Sequence, residues 1–386
     1  MTTGIVCEYN PFHNGHLYQI KKAKAMGAAK IVCVMSGNFV QRGECAFFSK
    51  YLRAKAAVMC GADVVIDLPT PWAMASAETF ARGSIGLLQN FGIDALSFGC
   101  ENDDADLLRV CSEKLNDSET GRLIKMYSAD GLSYPEAVSR ALAESFGEKA
   151  GQLISSPNNT LAVEYIRHLC DDVALLPVRR QGADHDSDTA KDNIASASLI
   201  RNMNLSDESL SFVPSELVPL YKEAETYSLS YCERAILSSL RIMEKQEFSL
   251  YVSDGNGLDM RIYEAVRTAG SLESLYAMAK SKNYTHSRVR REVMNLWLKV
   301  KKDCSEGIPP YMKILAVSER GLSMLSGAKE NSSLPIITKY AEAKNLEGKA
   351  KEIYDAECRN TDLFSLCTEK IKECSFEKKH SLIIIK

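Results

Sequence analysis

Residues 9–16 read Tyr-Asn-Pro-Phe-His-Asn-Gly-His, directly after a short apolar run, Thr3 to Cys7. If that run is a strand and the helix behind it begins near Asn14 or Gly15, then His13 and His16 both lie around the first helical turn. Free backbone N–H groups and the helix dipole favour an anion there. Gly15 removes a side chain where a phosphate must approach closely, and Pro11 fixes the turn. Two imidazoles donating to a phosphate stabilise charge that develops during displacement at phosphorus. The arrangement suits a triphosphate and needs no covalent intermediate. An isolated H-x-x-H is more often a helix cap plus a surface histidine, and a zinc pair of the protease type requires H-E-x-x-H. The position after the first strand, with glycine in the middle, favours the phosphate reading.

Three further stretches carry candidate chemistry. In Ser-Ala-Ser-Leu-Ile-Arg, Ser196 and Ser198 open a helix while Arg201, one turn on, reaches the same anion. Read alone, a serine-rich helix start is commonly only a cap. The run from Asn283 to Lys302 holds Arg288, Arg290, Arg291, Lys299, Lys301 and Lys302 against one acid, Glu292, with Tyr284 and His286 alongside. A charge run is usually a solvated helix face, yet this one has the composition of an RNA-backbone footprint. Gln41 and Arg42, in Gln-Arg-Gly-Glu, extend it toward the first site. Gly182 to Asp188 places His185 among acids, but in one loop without the ligand spacing of a defined metal site, so no metal centre is expected.

These residues need a scaffold, and the first part of the chain supplies a strand-then-helix rhythm. Strands are expected at Thr3–Cys7, Lys30–Gly37, Asp63–Pro69 and Asp94–Gly99, with helices between them, and one more strand in Val173–Arg180. Nearly continuous apolar strands alternating with helices predict an α/β fold, a Rossmann-like parallel sheet covered on both faces. Ligands of such sheets sit beyond the carboxyl ends of the strands, where the turns here are rich in Gly, Asn, Pro and charge. From about Ser206 the chain turns mainly helical, with only a weak strand signal near Phe248–Ser253. A boundary near residue 205 divides a catalytic domain, 1–205, from a mainly helical domain, 206–386. The closing Ser-Leu-Ile-Ile-Ile-Lys reads as a terminal strand or a frayed tail.

Composition sets limits on function. With 386 residues, 45% hydrophobic and 25% charged, the chain is an ordinary globular protein long enough for two domains. A net charge of −3 excludes a uniformly basic nucleic-acid binder and leaves room for a local basic face. The twelve cysteines form no C-x-x-C pair, which argues against a zinc framework or secreted disulfide scaffold and for a reducing cytoplasm. No signal peptide and no apolar run of the ~20 residues needed to span a bilayer is seen, so no membrane association is expected.

The H-N-G-H stretch resembles the H-x-G-H signature of the nucleotidylyltransferase superfamily. Taken with Met-Ser-Gly-Asn-Phe-Val-Gln-Arg-Gly-Glu, Gly-Ala-Asp-Val-Val-Ile-Asp-Leu-Pro, Ser-Phe-Gly-Cys-Glu-Asn, Ser-Pro-Asn-Asn-Thr-Leu-Ala-Val-Glu-Tyr-Ile and Tyr-Thr-His-Ser-Arg-Val-Arg-Arg, it is similar to the tRNA(Met) cytidine acetate ligase family, from residue 4 to roughly 340. The resemblance implies that acetate attacks the α-phosphate of ATP, giving acetyl-adenylate and pyrophosphate, and that the acetyl group passes to N4 of the wobble cytidine of elongator methionine tRNA, giving N4-acetylcytidine. Acetate is already ionised at pH 7 and needs no activating base, so positioning and charge stabilisation suffice.

Carried over by position, the implied ATP site is the first turn: Val6, Cys7, Glu8, Tyr9, Asn10, Pro11, Phe12, His13, Asn14, Gly15, His16, Leu17, Tyr18 and Gln19, with His13 and His16 catalytic. It adds Gly99, Asn158 or Asn159, and Arg179 or Arg180. Ser196, Ser198 and Arg201 resemble the I-S-S-T-x-x-R element of small adenylyltransferases, with Ala197 in place of one hydroxyl. Implied tRNA contacts are Gln41, Arg42, Tyr284, His286, Arg288, Arg290 and Arg291. Mg²⁺ is expected with ATP, held mainly by phosphates and water, and no organic prosthetic group is implied. The family usually has Tyr before His185, where Ala183-Asp184 stand. Two other classes fit part of the pattern: a small-molecule adenylyltransferase, which would leave the second domain idle, and a tRNA-binding protein with a vestigial nucleotide site, against which the intact histidines argue.

Overall fold

The computed structural model describes residues 1–180, 193–252, 257–282 and 284–386. The five expected strands form in order, β1 (Thr2–Cys7), β2 (Lys30–Ser36), β5 (Val64–Leu68), β6 (Ala95–Cys100) and β7 (Ala174–Arg179), and a short hairpin that was not expected, β3 (Phe39–Val40) and β4 (Glu44–Cys45), lies between β2 and β5. Three more come from the second half, β8 (Met312–Ser318), β9 (Ile336–Ile337) and β10 (Ile383–Ile385). The main sheet runs β10-β8-β5-β2-β1-β6-β7, with β9 paired to β8. Every pairing in it is parallel except β5 with β8.

β2 explains why these strands read as unbroken apolar runs. Ile31, Cys33 and Met35 face one core, with Phe12, Ile20 and Phe48; Val32 and Val34 face the other, with Ile85, Leu88 and Leu96. All five residues are fully buried, so alternation between polar and apolar has no place to appear. A third core lies in the helices of residues 227–300, and it includes Phe39 and Cys45 of the hairpin.

The chain after residue 205 is therefore mainly helical but not wholly so. A strand not expected from the sequence forms at Met312–Ser318, whose side chains from Met312 to Val317 are all buried, and of the two readings of the terminus the strand holds, Ile383–Ile385 lying on the edge of the sheet. The weak strand signal near Phe248 resolves as a short helix, Phe248–Tyr251. A short apolar run has the same appearance in either state, and packing decides.

β1 lies at the centre: β2 and β5 follow on one side, and the chain then returns to place β6 and β7 on the other. The carboxyl ends of β1 and β6 therefore flank the point where strand order reverses, which is where an open α/β sheet leaves a crevice.

Candidate active site

The turn after β1 is built by hydrogen bonds its own residues make. His13 is the N-cap of the helix Asn14–Ala25, and its Nδ1 accepts from the Gly15 N–H at 3.1 Å. His16 Nδ1 accepts from the His13 backbone N–H at 3.2 Å, so the pair forms a capping box made of two imidazoles. An acceptor Nδ1 carries no proton, which places the single N–H of each neutral ring on Nε2. Burial, aided by Arg180 and Arg201, pushes His13 down to about 3, and burial, with His13 and Arg180, pushes His16 well below the usual imidazole range. Both rings are therefore neutral donors at pH 7.

Packing fixes where those donors sit. The two rings are 3.7 Å apart between centroids and tilted by 31°, and Tyr9 meets His16 edge-on at 4.8 Å. A Cβ at Gly15 would stand 2.9 Å from His13 Cε1. Glycine is required here by the neighbouring imidazole itself, a closer cause than the approach of a phosphate.

The turn is anchored from behind by a residue that no local pattern marks. Arg53, on the helix Lys50–Met59, is fully buried and donates to the carbonyls of Phe48 at 3.0 Å, Glu8 at 2.6 Å, Ser36 at 3.0 Å and Gly37. It ties the end of β1 to the end of β2. Burial lowers it to about 10, which leaves it charged at neutral pH. Glu8 accepts from the Gln41 backbone N–H at 2.8 Å, joining the turn to the hairpin. Arg201 donates to the Asn10 carbonyl at 2.7 Å, joining it to the helix Ala197–Asn202.

These elements enclose a pocket of about 230 Å³ at the carboxyl ends of β1 and β6. Most of the expected nucleotide set lines it: Val6, Cys7, Glu8, Tyr9, Asn10, His13, His16, Gln19, Gly99, Asn158, Arg180, Ser196, Ser198 and Arg201. Gln41 and Arg42 line it too, as do Val40, Glu44, Phe80, Phe98, Leu161 and Tyr165, which sequence reasoning did not single out. Of the two open pairs, Asn158 and Arg180 face the pocket. Asn159 instead accepts from the Glu101 and Asn102 backbone N–H groups at 3.0 and 3.3 Å, and Arg179 ends β7. Ser196 caps its helix, accepting from Leu199 N at 3.1 Å, while its hydroxyl lies 2.9 Å from that of Ser198.

The remaining turn residues support the pocket without lining it. Pro11 and Phe12 are buried, Gly15 lies under His13, and Leu17 packs into the core below. Tyr18 carries Lys22 at 5.5 Å over its ring, and the Asn14 amide donates to the carbonyls of Asn193 and Ser211 at 3.0 and 3.3 Å. Cys7 donates to the Val34 carbonyl at 3.6 Å, and burial pushes its thiol well up, so it is no nucleophile. His185 and its neighbours lie outside the described residues.

The basic run forms the helix His286–Leu298. Arg290 pairs with Glu44 and reaches Glu273 at 3.4 Å, and Arg291 donates to the Gln41 carbonyl at 3.5 Å. A Cβ at Gly43 would fall 2.5 Å from the Arg291 nitrogen, so the hairpin turn and the first turns of this helix touch at the backbone. Arg288 lies 5.3 Å over the Tyr284 ring. Tyr284 is 5% exposed and packs inside the helical core, away from the surface on which RNA contact was expected. His286 lines a groove that adjoins the pocket.

A Rossmann-like sheet with a neutral histidine pair at its reversal point, flanked by arginine and serine, defines a nucleotide-binding protein of the H-x-G-H type. The sequence as a whole agrees: residues 1–379 match the family model described as HIGH Nucleotidyl Transferase. Relatives called tRNA(Met) cytidine acetate ligase match from Acetivibrio thermocellus, 34% identical over 94% of each chain, and from Alkaliphilus metalliredigens, 33% identical over 97% of this chain and 95% of the relative. Crystal structures of Thermotoga maritima TmcAL superpose with TM-scores of 0.92 for the apo form at 26% identity and 0.90 for the form bound with alpha-thio ATP at 27%, each covering 99% of both chains. The chain belongs to the tRNA(Met) cytidine acetate ligase family within the HIGH nucleotidyl transferases.

Proposed function

We propose that this protein activates acetate with ATP and transfers the acetyl group to N4 of the wobble cytidine of elongator methionine tRNA. The relatives' names speak of tRNA(Met), cytidine and acetate, and the observation that supports activation with ATP in this chain is the pair of Nε2–H donors held neutral in the pocket. In the first step an acetate oxygen attacks the α-phosphorus and pyrophosphate leaves. Charge grows on the phosphate oxygens, and donors fixed by capping bonds and ring packing cost no reorganisation as it does so. Neutral imidazoles suit that task, because a protonated pair this close would repel itself. Arg180, Arg201, Ser196 and Ser198 are assigned to the remaining phosphate and ribose oxygens.

Mg²⁺ would travel with the triphosphate. The pocket lining includes Arg42, Arg180, Arg201 and the two histidines beside the carboxylates Glu8 and Glu44, and among the described residues no three His, Cys, Asp or Glu side chains converge to hold a metal by themselves. Phosphate oxygens and water are the natural ligands. The nucleotide chemistry is assigned to residues 1–205, and RNA contact to the helical part of 206–386, principally through His286 and Arg288. The protein is expected in the cytoplasm, where its tRNA substrate is; among the described residues no helix is long and apolar enough to cross a membrane.

The test is pyrophosphate exchange into ATP with acetate present, followed by labelled-acetate incorporation into tRNA. Exchange that depends on acetate and incorporation that depends on a cytidine at the wobble position are the expected results. Transfer of AMP to a small phosphorylated acceptor would replace this reading.

A further inference from the structure

A second, larger cavity of about 1150 Å³ adjoins the nucleotide pocket, walled by the helices Tyr134–Phe146 and Glu148–Leu153 on one side and the start of the helix His286–Leu298 on the other. Among the described residues only Gln41, Arg42, Glu44 and Leu161 line both. Acyl transfer requires the acetyl carbonyl, which forms in the pocket, to meet an amine arriving from outside. If the pocket holds the adenylate and the groove admits the RNA, the two reactants meet at those four side chains.

The chemistry needed there is specific. The exocyclic amine of cytosine is a hydrogen-bond donor best recognised by a carboxylate, and it must lose a proton once it has attacked. Glu44 is the one carboxylate among the four. We infer that Glu44 is the catalytic residue that receives the cytidine amine and takes its proton during acyl transfer. This rests on the function proposed above. In the step, the N4 lone pair forms the C–N bond and the bond from the carbonyl carbon to the AMP oxygen breaks. The N4 proton passes to the Glu44 carboxylate and from it to solvent, leaving N4-acetylcytidine and AMP. Uridine presents O4 at the same place, an acceptor facing a carboxylate, and is rejected.

Glu44 is held for this role by Arg290, and the ion pair is half-buried. The charged and titratable groups that share its cavities include Arg42 on its own hairpin, Glu273 and Tyr276 on the helix Leu272–Ala279, His286, Arg290 and Arg291 on the basic helix, Arg201 and Glu233 in a third cavity, and Glu136, Arg140 and Glu148 across the groove. RNA phosphates drawn to this basic helix would compete for Arg290 and release the carboxylate as substrate arrives.

The experiment is single-turnover transfer of labelled acetyl from enzyme charged with ATP and acetate to a methionine tRNA transcript, as a function of pH, for wild type, E44Q, E44D and R290A. Wild type and E44D are expected to lose rate on the acid side as the carboxylate is protonated. E44Q should be slower by about 10²-fold or more and lack that limb, because the base is gone. R290A keeps the carboxylate and should keep the limb, which separates the chemical role from the ion pair. An acid limb of the same slope in E44Q overturns the assignment even where the variant is too weak for its rate to be compared, as does E44Q transfer within threefold of wild type. A wild type that charges with acetate but never modifies RNA defeats the inference together with the function it rests on. Acetylation by E44Q at wild-type rate defeats the inference alone.

Discussion

At the scale of single residues the chemistry depends on two imidazoles whose protons are placed by the backbone. His13→Ala or His16→Ala should each lower acetate-dependent pyrophosphate exchange by about 10²–10³, the usual effect of losing one preorganised donor to a developing charge. His13→Ala also removes the acceptor of the Gly15 N–H and His16→Ala the acceptor of the His13 N–H, each for roughly 1 kcal/mol of stability, so exchange is read beside urea unfolding of both variants. A second prediction concerns pH. The folded His13 titrates near 3 and the unfolded one near 6.5, so the folded state binds fewer protons and loses stability as pH falls through that window. At pH 5 this amounts to roughly 2 kcal/mol from His13, and urea unfolding at pH 7 and pH 5 should show the gap narrowing by that much in His13→Asn. The histidine spacing was legible in the sequence because both rings and the glycine between them fall within one turn. Arg53 was not: its partners Glu8, Ser36 and Gly37 lie 16 to 45 residues away, and nothing local in Ser-Lys-Tyr-Leu-Arg marks it as buried.

At the scale of elements, the hairpin Phe39–Cys45 joins nucleotide pocket to basic helix. Gly43 adopts φ of +72° and leaves no room for a Cβ against the Arg290–Arg291 backbone. Gly43→Ala should therefore destabilise the protein by more than the ~1 kcal/mol of left-handed strain alone, visible as a lower melting temperature, and should depress exchange and RNA binding together. Melting and exchange both unchanged would mean that the hairpin is not tightly docked. The same contact divides the arginines. Arg290 and Arg291 are tied to Glu44 and Gln41, so replacing them should lower both thermal stability and exchange, while Arg288→Ala should act on RNA affinity, flattening its salt dependence by roughly 0.7 to 0.9 of a log–log unit if one phosphate contact is lost. The parallel strands and their helices were readable because an apolar run buried on both faces repeats at each step. β8 escaped because Met-Lys-Ile-Leu-Ala-Val-Ser stands isolated among helices, and its place beside β5 is antiparallel, set by a long return of chain.

At the scale of the whole molecule the carboxyl-terminal segment packs into the cores on the main sheet. Glu377 lies between Lys50, at 2.9 Å, and Lys313, with the Tyr51 and Thr361 hydroxyls each donating at 3.0 Å; all four partners and Glu377 are buried. Lys50 also pairs with Asp67 at 2.6 Å. Glu377→Ala leaves buried ammonium groups short of compensation, and a loss of roughly 3–5 kcal/mol in chemical unfolding is expected, with Glu377→Gln intermediate. A change near zero would show that the tail is dispensable.

The central claim is that one pocket activates acetate and an adjoining groove brings RNA to it. Its most direct measurement is nucleoside mass analysis of methionine tRNA transcripts, with cytidine or uridine at the wobble position, after incubation with the protein, ATP and isotopically labelled acetate. Labelled N4-acetylcytidine at that position is expected, formed only with ATP and acetate together and abolished in His13→Ala/His16→Ala. Unmodified tRNA alongside acetate-independent turnover of ATP would contradict it.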